Sequence, residues 1–400
     1  MKKIIFSVIS IAAMFGLALF AAQTNLSTAQ ASDVSGRKIV VFQTGLNDAA
    51  KDEIVKHAGG AKLKNLDLID AKAVWLPSRA ATEKLKAHPA VVRIDEDVIV
   101  EALDRKGGSG KKKTPLAQVL PWGIDRVDAE LVWPGGNTAD PVKVGIIDTG
   151  ISNKHPDLLA NVKGGVNTIN SFKNWNDDNG HGSHVAGIVA ALNNTIGVVG
   201  VGSAVDLYAI KVLDANGSGF LSDVIEGIQW ATVNGMQVIN MSLGTGSDIQ
   251  SFHDAVIAAK NAGVVVVAAA GNSGGSVIFP AAYSEAIAVS ATDKNNVIAS
   301  FSSRGLEIDL AAPGVSIYST YKRTGYATLS GTSMAAPHVA GSAALVLNTP
   351  VGGYDFNPNG KWDPDEVQKK LQDRAVNLGN TGVDNLYGWG LVNAYSAVQP

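Results

Sequence analysis

The sequence predicts an α/β protein, a doubly wound and mainly parallel sheet preceded by a small α+β unit. Three observations carry that prediction. From Pro121 onward, strand-like and helix-like segments alternate, the order that builds parallel strands with covering helices. The run Val264 to Ala270 (VVVVAAA) shows no polar alternation, so both faces of that strand are covered. Glycine supplies 43 of the 400 residues, which suits the tight turns and close helix–strand approaches of such a fold.

Composition removes several functional classes. A hydrophobic content of 46% is enough for a large core and excludes a disordered chain. The net charge is −3, with only 17% charged residues, so nothing marks an electrostatic nucleic-acid binder. Cysteine is absent. Disulfides, cysteine nucleophiles, thiolate zinc sites and iron–sulfur clusters are therefore excluded.

Taken in chain order, residues 1–31 read as a secretory signal. Lys2 and Lys3 precede an apolar stretch from Ile4 to Ala22, and Ala29-Gln30-Ala31 supplies the small residues of a cleavage site. An uncleaved anchor is the competing reading, because the stretch approaches spanning length; the cleavage site favours the signal. The expected location is extracellular, with no membrane attachment once the signal is removed. A secreted chain without disulfides needs another staple, and a bound metal would serve.

Residues 32–103 form a second part. Strands are expected at 38–43, 72–76 and 91–100, helices at 48–58 and 79–87, with room for another strand near 66–69. This order fits a split βαβ, ferredoxin-like module. Residues 104–116 follow as a Gly/Lys-rich linker (DRKGGSGKKKT from Asp104). It superficially resembles a phosphate loop but lacks the first glycine and a strand leading into it, so a solvated, cleavable linker is the better reading.

The remainder, 117–400, holds the alternating pattern. Strands are expected at 143–148, 207–212, 238–242, 264–270 and 286–291. Helices are expected at 182–192, 223–234, 251–262 and 332–347, the last built mostly of small residues and so buried on nearly all sides.

Doubly wound sheets place chemistry at the carboxyl ends of their strands. Strand 143–148 ends in Asp148, His181 lies in NGHGSH at a helix start, and Ser333 lies in GTSMAAPHVAG at another. A serine hydroxyl is a poor nucleophile at neutral pH; it needs a histidine to take its proton and an acid to orient that histidine. Singly, the aspartate could be a turn former and the serine a helix cap. Their order and flanks argue jointly for a catalytic triad.

With these flanks, the order Asp148…His181…Ser333 resembles the subtilisin family of secreted serine proteases, over essentially the whole chain. The resemblance implies that Ser333 is the nucleophile, His181 the general base then acid, and Asp148 its orienter. It implies that Asn272, in Ala-Ala-Gly-Asn, is the oxyanion donor beside the Ser333 backbone N–H. Ser183 departs from the family pattern, which has threonine there. The resemblance also implies substrate-flanking strands at Gly217, Ser218, Gly219 and at Ser242, Leu243, Gly244. Ala269, Ala270 and Gly271 would line the main specificity pocket, with Ile278 a candidate for its floor. Residues 32–103 would be an inhibitory and chaperoning propeptide, autocleaved after Leu103.

A structural calcium ion is implied at a loop interrupting the helix after His181. Its ligands would be the carbonyls of Leu192, Ile196 and Val198, the side chain of Asn194, and Gln118 and Asp157; such an all-oxygen set suits calcium. Pattern alone suggests a second loop, Asp355, Asn357, Asn359, Lys361 and Glu366, matching D-x-[DN]-x-[DN]-G-x₅-E. A plain polar insertion with turn residues competes with it. His155, His184 and His338 are expected to pack or bond to backbone, and His57, His88 and His253 to lie on the surface. No zinc motif is present among them.

Two rival functions remain at this stage. One is a non-catalytic peptide-binding relative, whose signature would be a lost triad member; none is lost. The other is an esterase using Ser273, because Gly271-Asn272-Ser273-Gly274-Gly275 matches G-x-S-x-G. That elbow should lead into a helix, whereas Ser276 to Pro280 reads as a loop. The expected partners are polypeptide substrates, the chain's own propeptide and calcium, with a monomer as the default state.

Overall fold

The computed structural model describes residues 36–103 and 117–400. The signal segment and the linker 104–116 lie outside the described residues. The chain falls into two compact units: one holds the residues up to Asn65 together with Asp70–Val98, the other Leu66–Ile69 and Ile99–Pro400.

The smaller unit runs β1 (Arg37–Phe42), α1 (Asp48–His57), β2 (Ala61–Leu66), β3 (Ala71–Trp75), α2 (Arg79–Lys86) and β4 (Val91–Glu96). Its sheet order is β2-β3-β1-β4, with β1 antiparallel to both β3 and β4. Asn47 and Ser78 cap the two helices, each side-chain oxygen accepting a backbone N–H from the first turn. Val40, Phe42, Val55, Val74 and Leu85 fill the space between helices and sheet. The additional strand lies at 61–66, earlier than the 66–69 that the sequence suggests; Asp67–Ile69 is a 3₁₀ turn. The expected single strand 91–100 is also broken. It stops at Glu96 and resumes as β5 (Ile99–Ala102). Asp97 turns inward instead, its carboxylate accepting from Arg37 Nε at 2.9 Å.

The larger unit is built on parallel strands β6 (Lys143–Asp148), β7 (Val162–Asn167), β8 (Asp206–Lys211), β10 (Val238–Met241), β12 (Val265–Ala269), β13 (Ala286–Thr292) and β14 (Leu310–Pro313). Their spatial order is β14-β13-β12-β10-β6-β8-β7, and every pairing is parallel. Short β9 (Ser218–Phe220) and β11 (Leu243–Gly244) flank β5, and β15 (Ile317–Thr320) pairs with β16 (Tyr326–Leu329). The helices are α3 (Trp122–Arg126), α4 (His181–Ala190), α5 (Leu221–Val233), α6 (Gln250–Asn261), α7 (Thr332–Leu347), α8 (Pro364–Asp373) and α9 (Ala394–Val398).

Every residue of β10, β12, β13 and β14 is buried, as expected of strands covered on both faces. α7 packs against β12, β13, β10 and β14 and against α4; all but its last residue are buried, which is why its side chains are small. The strand order reverses around β6, with β8 and β7 on one side and β10, β12, β13 and β14 on the other. Such a reversal opens a crevice at the carboxyl ends of the strands, and Asp148 ends β6. Among the described residues, no helix is long and apolar enough to cross a membrane.

Candidate active site

Asp148 is fully buried and His181 is 1% exposed. His181 Nδ1 lies 2.8 Å from Asp148 Oδ1 and 2.9 Å from Oδ2. A carboxylate there makes Nδ1 the protonated ring nitrogen and leaves Nε2 the one that can accept a proton. Asp148 Oδ1 also accepts Thr149 N–H at 2.7 Å. The approach requires a glycine after the histidine: a Cβ at Gly182 would lie 2.2 Å from Gly150 O.

Ser333 is the second residue of α7 and is buried. Ser242 Oγ donates to Ser333 O at 2.9 Å and accepts from Asn240 Nδ2 at 2.8 Å, which pins the helix start. Asn272 follows β12. Its Oδ1 accepts from Thr332 N at 2.9 Å and from Thr332 Oγ1 at 3.0 Å. Those two donors fix which way the amide points, so its Nδ2 is the free donor. That Nδ2 meets Leu103 O at 2.6 Å, and Ser333 Oγ hydrogen-bonds the same carbonyl oxygen.

Leu103 follows β5, which runs as the central strand between β9 and β11. Val100 pairs with Gly219, Glu101 with Ser218 and Gly244, and Ala102 with Leu243. Ala102 N–H donates to Gly217 O at 2.8 Å, and Leu103 N–H to Ser242 O at 3.2 Å. The six flanking residues read from the sequence thus run along both sides of one extended segment. Ala269 and Ala270 are buried at the end of β12. Beyond them, a Cβ at Gly271 would lie 3.2 Å from Ile278 Cγ1, and one at Gly244 2.7 Å from Ile278 Cδ1. Ile278 therefore faces both glycines, and Leu103 is partly buried against the main core.

Chemically, this is an extended peptide held by backbone pairing. The carbonyl ending it meets a hydroxyl and an amide donor, and the carboxylate that ends β6 holds an imidazole. Comparison with known proteins agrees with it. Residues 139–390 match the family described as the Subtilase family. The chain belongs to that family.

Among its relatives is an alkaline protease of Shouchella clausii, 47% identical over 318 residues, covering 79% of this chain and 76% of the relative. Subtilisin Savinase of Lederbergia lenta is 50% identical over 284 residues, covering 71% of this chain and all of the relative. Subtilisin amylosacchariticus of Bacillus subtilis subsp. amylosacchariticus is 41% identical over 402 residues, covering 97% and 98%. As a member of the subtilisin family, the chain is a serine endopeptidase.

The subtilase shows two loops for which calcium is expected, and they differ. In the first, Gln118 Nε2 donates to Leu192 O at 2.8 Å and to Val198 O at 3.3 Å, and Asn194 Nδ2 donates to Asp157 Oδ1 at 2.8 Å. The Gln118 amide, which could turn over, points its nitrogen at two of the carbonyls named as ligands, whereas Asn194 is fixed nitrogen-first on Asp157 because its Oδ1 accepts Ile196 N–H at 2.7 Å. Asp157 is fully buried and has no ion-pair partner among the described residues; burial pushes its carboxyl up. A Cβ at Gly197 would lie 2.2 Å from Asp157 Oδ2, and Gly197 has φ +66°. Asp157 Oδ2 also accepts Val198 N–H at 2.8 Å and the Tyr326 hydroxyl at 3.2 Å; a buried carboxylate with no cationic partner among the described residues, beside backbone carbonyls and a glycine, fits an oxygen-liganded cation.

The second loop is closed by its own backbone. Glu366 Oε1 accepts from Phe356 N and Asn357 N, and its Oε2 from Asp363 N. Asp355 takes the N–H groups of Asn359 and Gly360, while Asn359 Oδ1 takes that of Lys361. Asp363 and Glu366 form the capping box of α8. Here the loop expected from pattern at Asp355, Asn357, Asn359, Lys361 and Glu366 shares its glutamate with a helix cap, and a cation would have to displace three N–H donors from Glu366.

Ser273 heads no helix. Its Oγ lies 3.5 Å from Ser303 Oγ and accepts from Gly275 N–H at 3.2 Å. The other histidines sort by burial. His184 and His338 are buried and pushed down to about 3 and about 4, burial being the main cause; both bond backbone carbonyls. His155 accepts Asp157 N–H and meets Gly325 O at 2.9 Å. His253 is half-buried rather than a surface residue, stacked on Tyr283 at 4.1 Å and 2.8 Å from Glu285.

The sequence reading passed over Asp177, Thr149 and Lys211, which surround Asp148. Asp177 stands in the polar run before His181, where a carboxylate reads as an ordinary turn former.

Proposed function

We propose that this subtilase hydrolyses peptide bonds through Asp148, His181 and Ser333, and that it is made as a secreted precursor that cuts itself after Leu103. The observation that carries this reading is the Leu103 carbonyl oxygen, held by Asn272 Nδ2 at 2.6 Å and by the Ser333 hydroxyl. A peptide carbonyl in that position is placed for attack.

Ser333 Oγ adds to the Leu103 carbonyl carbon while His181 Nε2 takes the hydroxyl proton. Negative charge builds on the carbonyl oxygen, where Asn272 and the Ser333 backbone N–H stabilise it. The carbon–nitrogen bond to Asp104 breaks, and His181 gives its proton to the leaving amine. Water then attacks the acyl-enzyme by the same route in reverse roles. Asp148 stays ionised and stabilises the imidazolium. External polypeptides would follow the path that β5 takes, reading Gly217 to Gly219 and Ser242 to Gly244 as neighbouring strands, with Ala269, Ala270 and Gly271 beside the side-chain pocket.

In this reading residues 1–31 are the signal, 32–103 an inhibitory and folding-assisting propeptide, 104–116 a cleavable linker, and 117–400 the catalytic domain. The extracellular location and monomeric state go with it. The names of its relatives, an alkaline protease and a subtilisin, support the enzymatic part. Leu192, Asn194, Ile196, Val198, Gln118 and Asp157 would hold a calcium ion; when bound, its charge would offset the buried Asp157 and tie residue 118 to the 192–198 loop.

Hydrolysis of a chromogenic peptide by Ser333→Ala and Ser273→Ala, compared with the parent, tests the assignment. Only Ser333→Ala should be inactive. Loss in Ser273→Ala with activity kept in Ser333→Ala would transfer the nucleophile to Ser273.

A further inference from the structure

Beside the Asp148–His181 pair lies a second buried carboxylate. Asp177 is 2% exposed and accepts five hydrogen bonds. Its Oδ1 takes Thr149 Oγ1–H at 3.0 Å, Asn179 N–H at 2.9 Å and Gly180 N–H at 2.8 Å. Its Oδ2 takes Ser183 N–H at 3.0 Å and Ser183 Oγ–H at 2.5 Å. All but one of these donors belong to the first turn of α4 or the two residues before it, and His181 is the first residue of α4.

The remaining donor ties the cluster to the sheet. Thr149 Oγ1 gives its proton to Asp177 and accepts Gly182 N–H at 2.9 Å. Thr149 N–H bonds Asp148 Oδ1, so one residue links the orienting carboxylate, the histidine helix and Asp177. Ser183 Oγ in turn accepts Ser152 N–H at 2.9 Å. The start of α4 is thus fastened to the end of β6 through Asp177 on both sides of His181.

The charges nearby are few. On β6 there is Asp148, and on β8 Lys211, its partner in the parallel register. Lys211 Nζ donates to Thr149 O, Leu213 O and Asp178 Oδ1, each at 2.8 Å. Lys322, from the β15–β16 turn, donates to Asp178 O at 3.3 Å. His184 on α4 and His338 on α7 are kept neutral by burial. Burial first, and Asp148 with it, pushes the Asp177 carboxyl up, against the Ser183 and Gly180 donors that hold it down, while Lys211 is paired with Asp178. With Asp177 ionised beside Asp148, an added positive charge on His181 meets a local excess of negative charge.

We propose that Asp177 is a positioning residue for peptide hydrolysis: it fixes the helix start that carries His181 and, with Asp148, raises the affinity of His181 for the proton it takes from Ser333. The proposal rests on the triad reading above.

The test is the pH dependence of kcat/KM for Asp177→Asn and Thr149→Val, measured on matured enzyme with a peptide p-nitroanilide. The acidic limb reports the free enzyme's essential base. For Asp177→Asn it should move to lower pH by about half a unit, with kcat down about ten-fold or more and KM within about two-fold. Thr149→Val keeps the carboxylate but cuts the link; kcat should fall while the limb stays. A purely structural role would lower the melting temperature and leave the limb in place.

An Asp177→Asn profile superimposable on the parent, with kcat unchanged, overturns the proposal. If that variant does not reach a folded state, full activity in Thr149→Val overturns it instead. Ser333→Ala run in parallel separates the two readings: if it retains activity the triad assignment fails, and if it is dead beside an unaltered Asp177→Asn, only the role of Asp177 fails.

Discussion

Asn272 and Leu103 meet across 169 residues of sequence, the amide nitrogen of one 2.6 Å from the carbonyl oxygen of the other. Because Thr332 holds Asn272 Oδ1 with two donors, the amide cannot turn away without breaking both. The donor is therefore set in place before charge develops on the carbonyl oxygen, which is the condition for stabilising a transition state more than a ground state. Asn272→Leu should lower kcat about 10²–10³-fold, the loss known for this donor in a subtilisin, with KM little changed. Steady-state kinetics on matured enzyme checks it.

Ile278 lies within 3.2 Å and 2.7 Å of where Cβ atoms on Gly271 and Gly244 would stand, so in the proposed side-chain pocket it would set the depth. Ile278→Ala should make room for aromatic side chains. The ratio of kcat/KM for phenylalanine over leucine at the scissile residue should rise about ten-fold or more. Paired peptide p-nitroanilides differing only in that residue would measure the ratio; an unchanged ratio would remove Ile278 from the pocket floor.

Calcium should act through stability. At a concentration about 100 times its dissociation constant, a ligand adds about 2.7 kcal/mol. In a domain of this size that is about 5–10 °C in melting temperature. Chelation should remove that increment from the parent and leave Asp157→Ala, already lower, unmoved. Gly197→Ala should behave like Asp157→Ala, since its Cβ would fall 2.2 Å from Asp157 Oδ2.

Acid–base behaviour should show at Asp309. Its carboxyl is pushed up to about 6, with burial the leading cause, against hydrogen bonds from Ala288, Gln368 and Gln372 that lower it. A raised folded pKa means the folded state keeps the proton longer. The stability this group contributes is present below the ordinary aspartate range and is lost as pH rises through about 6. Asp309→Asn does not titrate, so its melting temperature should gain on the parent's as pH rises from about 4 to about 8. Calorimetry under saturating calcium measures the difference.

Much of the fold was legible because burial writes itself into composition. The strand at 143–148 and the helix at 332–347 match their predicted bounds, since each is an apolar run of one period ending at a polar or glycine boundary. The edge strand 162–167 was not, because Gly164 and Gly165 read as a turn. In the structure a Cβ at Gly165 would lie 2.1 Å from Ala209 O, so the glycine serves close strand approach. The strand 310–313 is four residues of Leu-Ala-Ala-Pro, too short for a pattern. The proposed triad positions stand out in the sequence by their flanking glycines. Asp177 does not: four of its five donors lie within six residues of it, as in an ordinary turn, and no spacing rule joins it to the fifth, Thr149. The loop at 355–366 has two readings in the sequence, because a capping box and a calcium loop both demand a glutamate in the same place.

Ser333 is expected to cleave the bond after Leu103. Intact-mass and N-terminal analysis of the expressed parent and of Ser333→Ala would show whether it does. The parent should yield a fragment ending at Leu103, and Ser333→Ala should keep the bond between Leu103 and Asp104 whole. Cleavage there in purified Ser333→Ala, with peptide hydrolysis retained, would contradict the account.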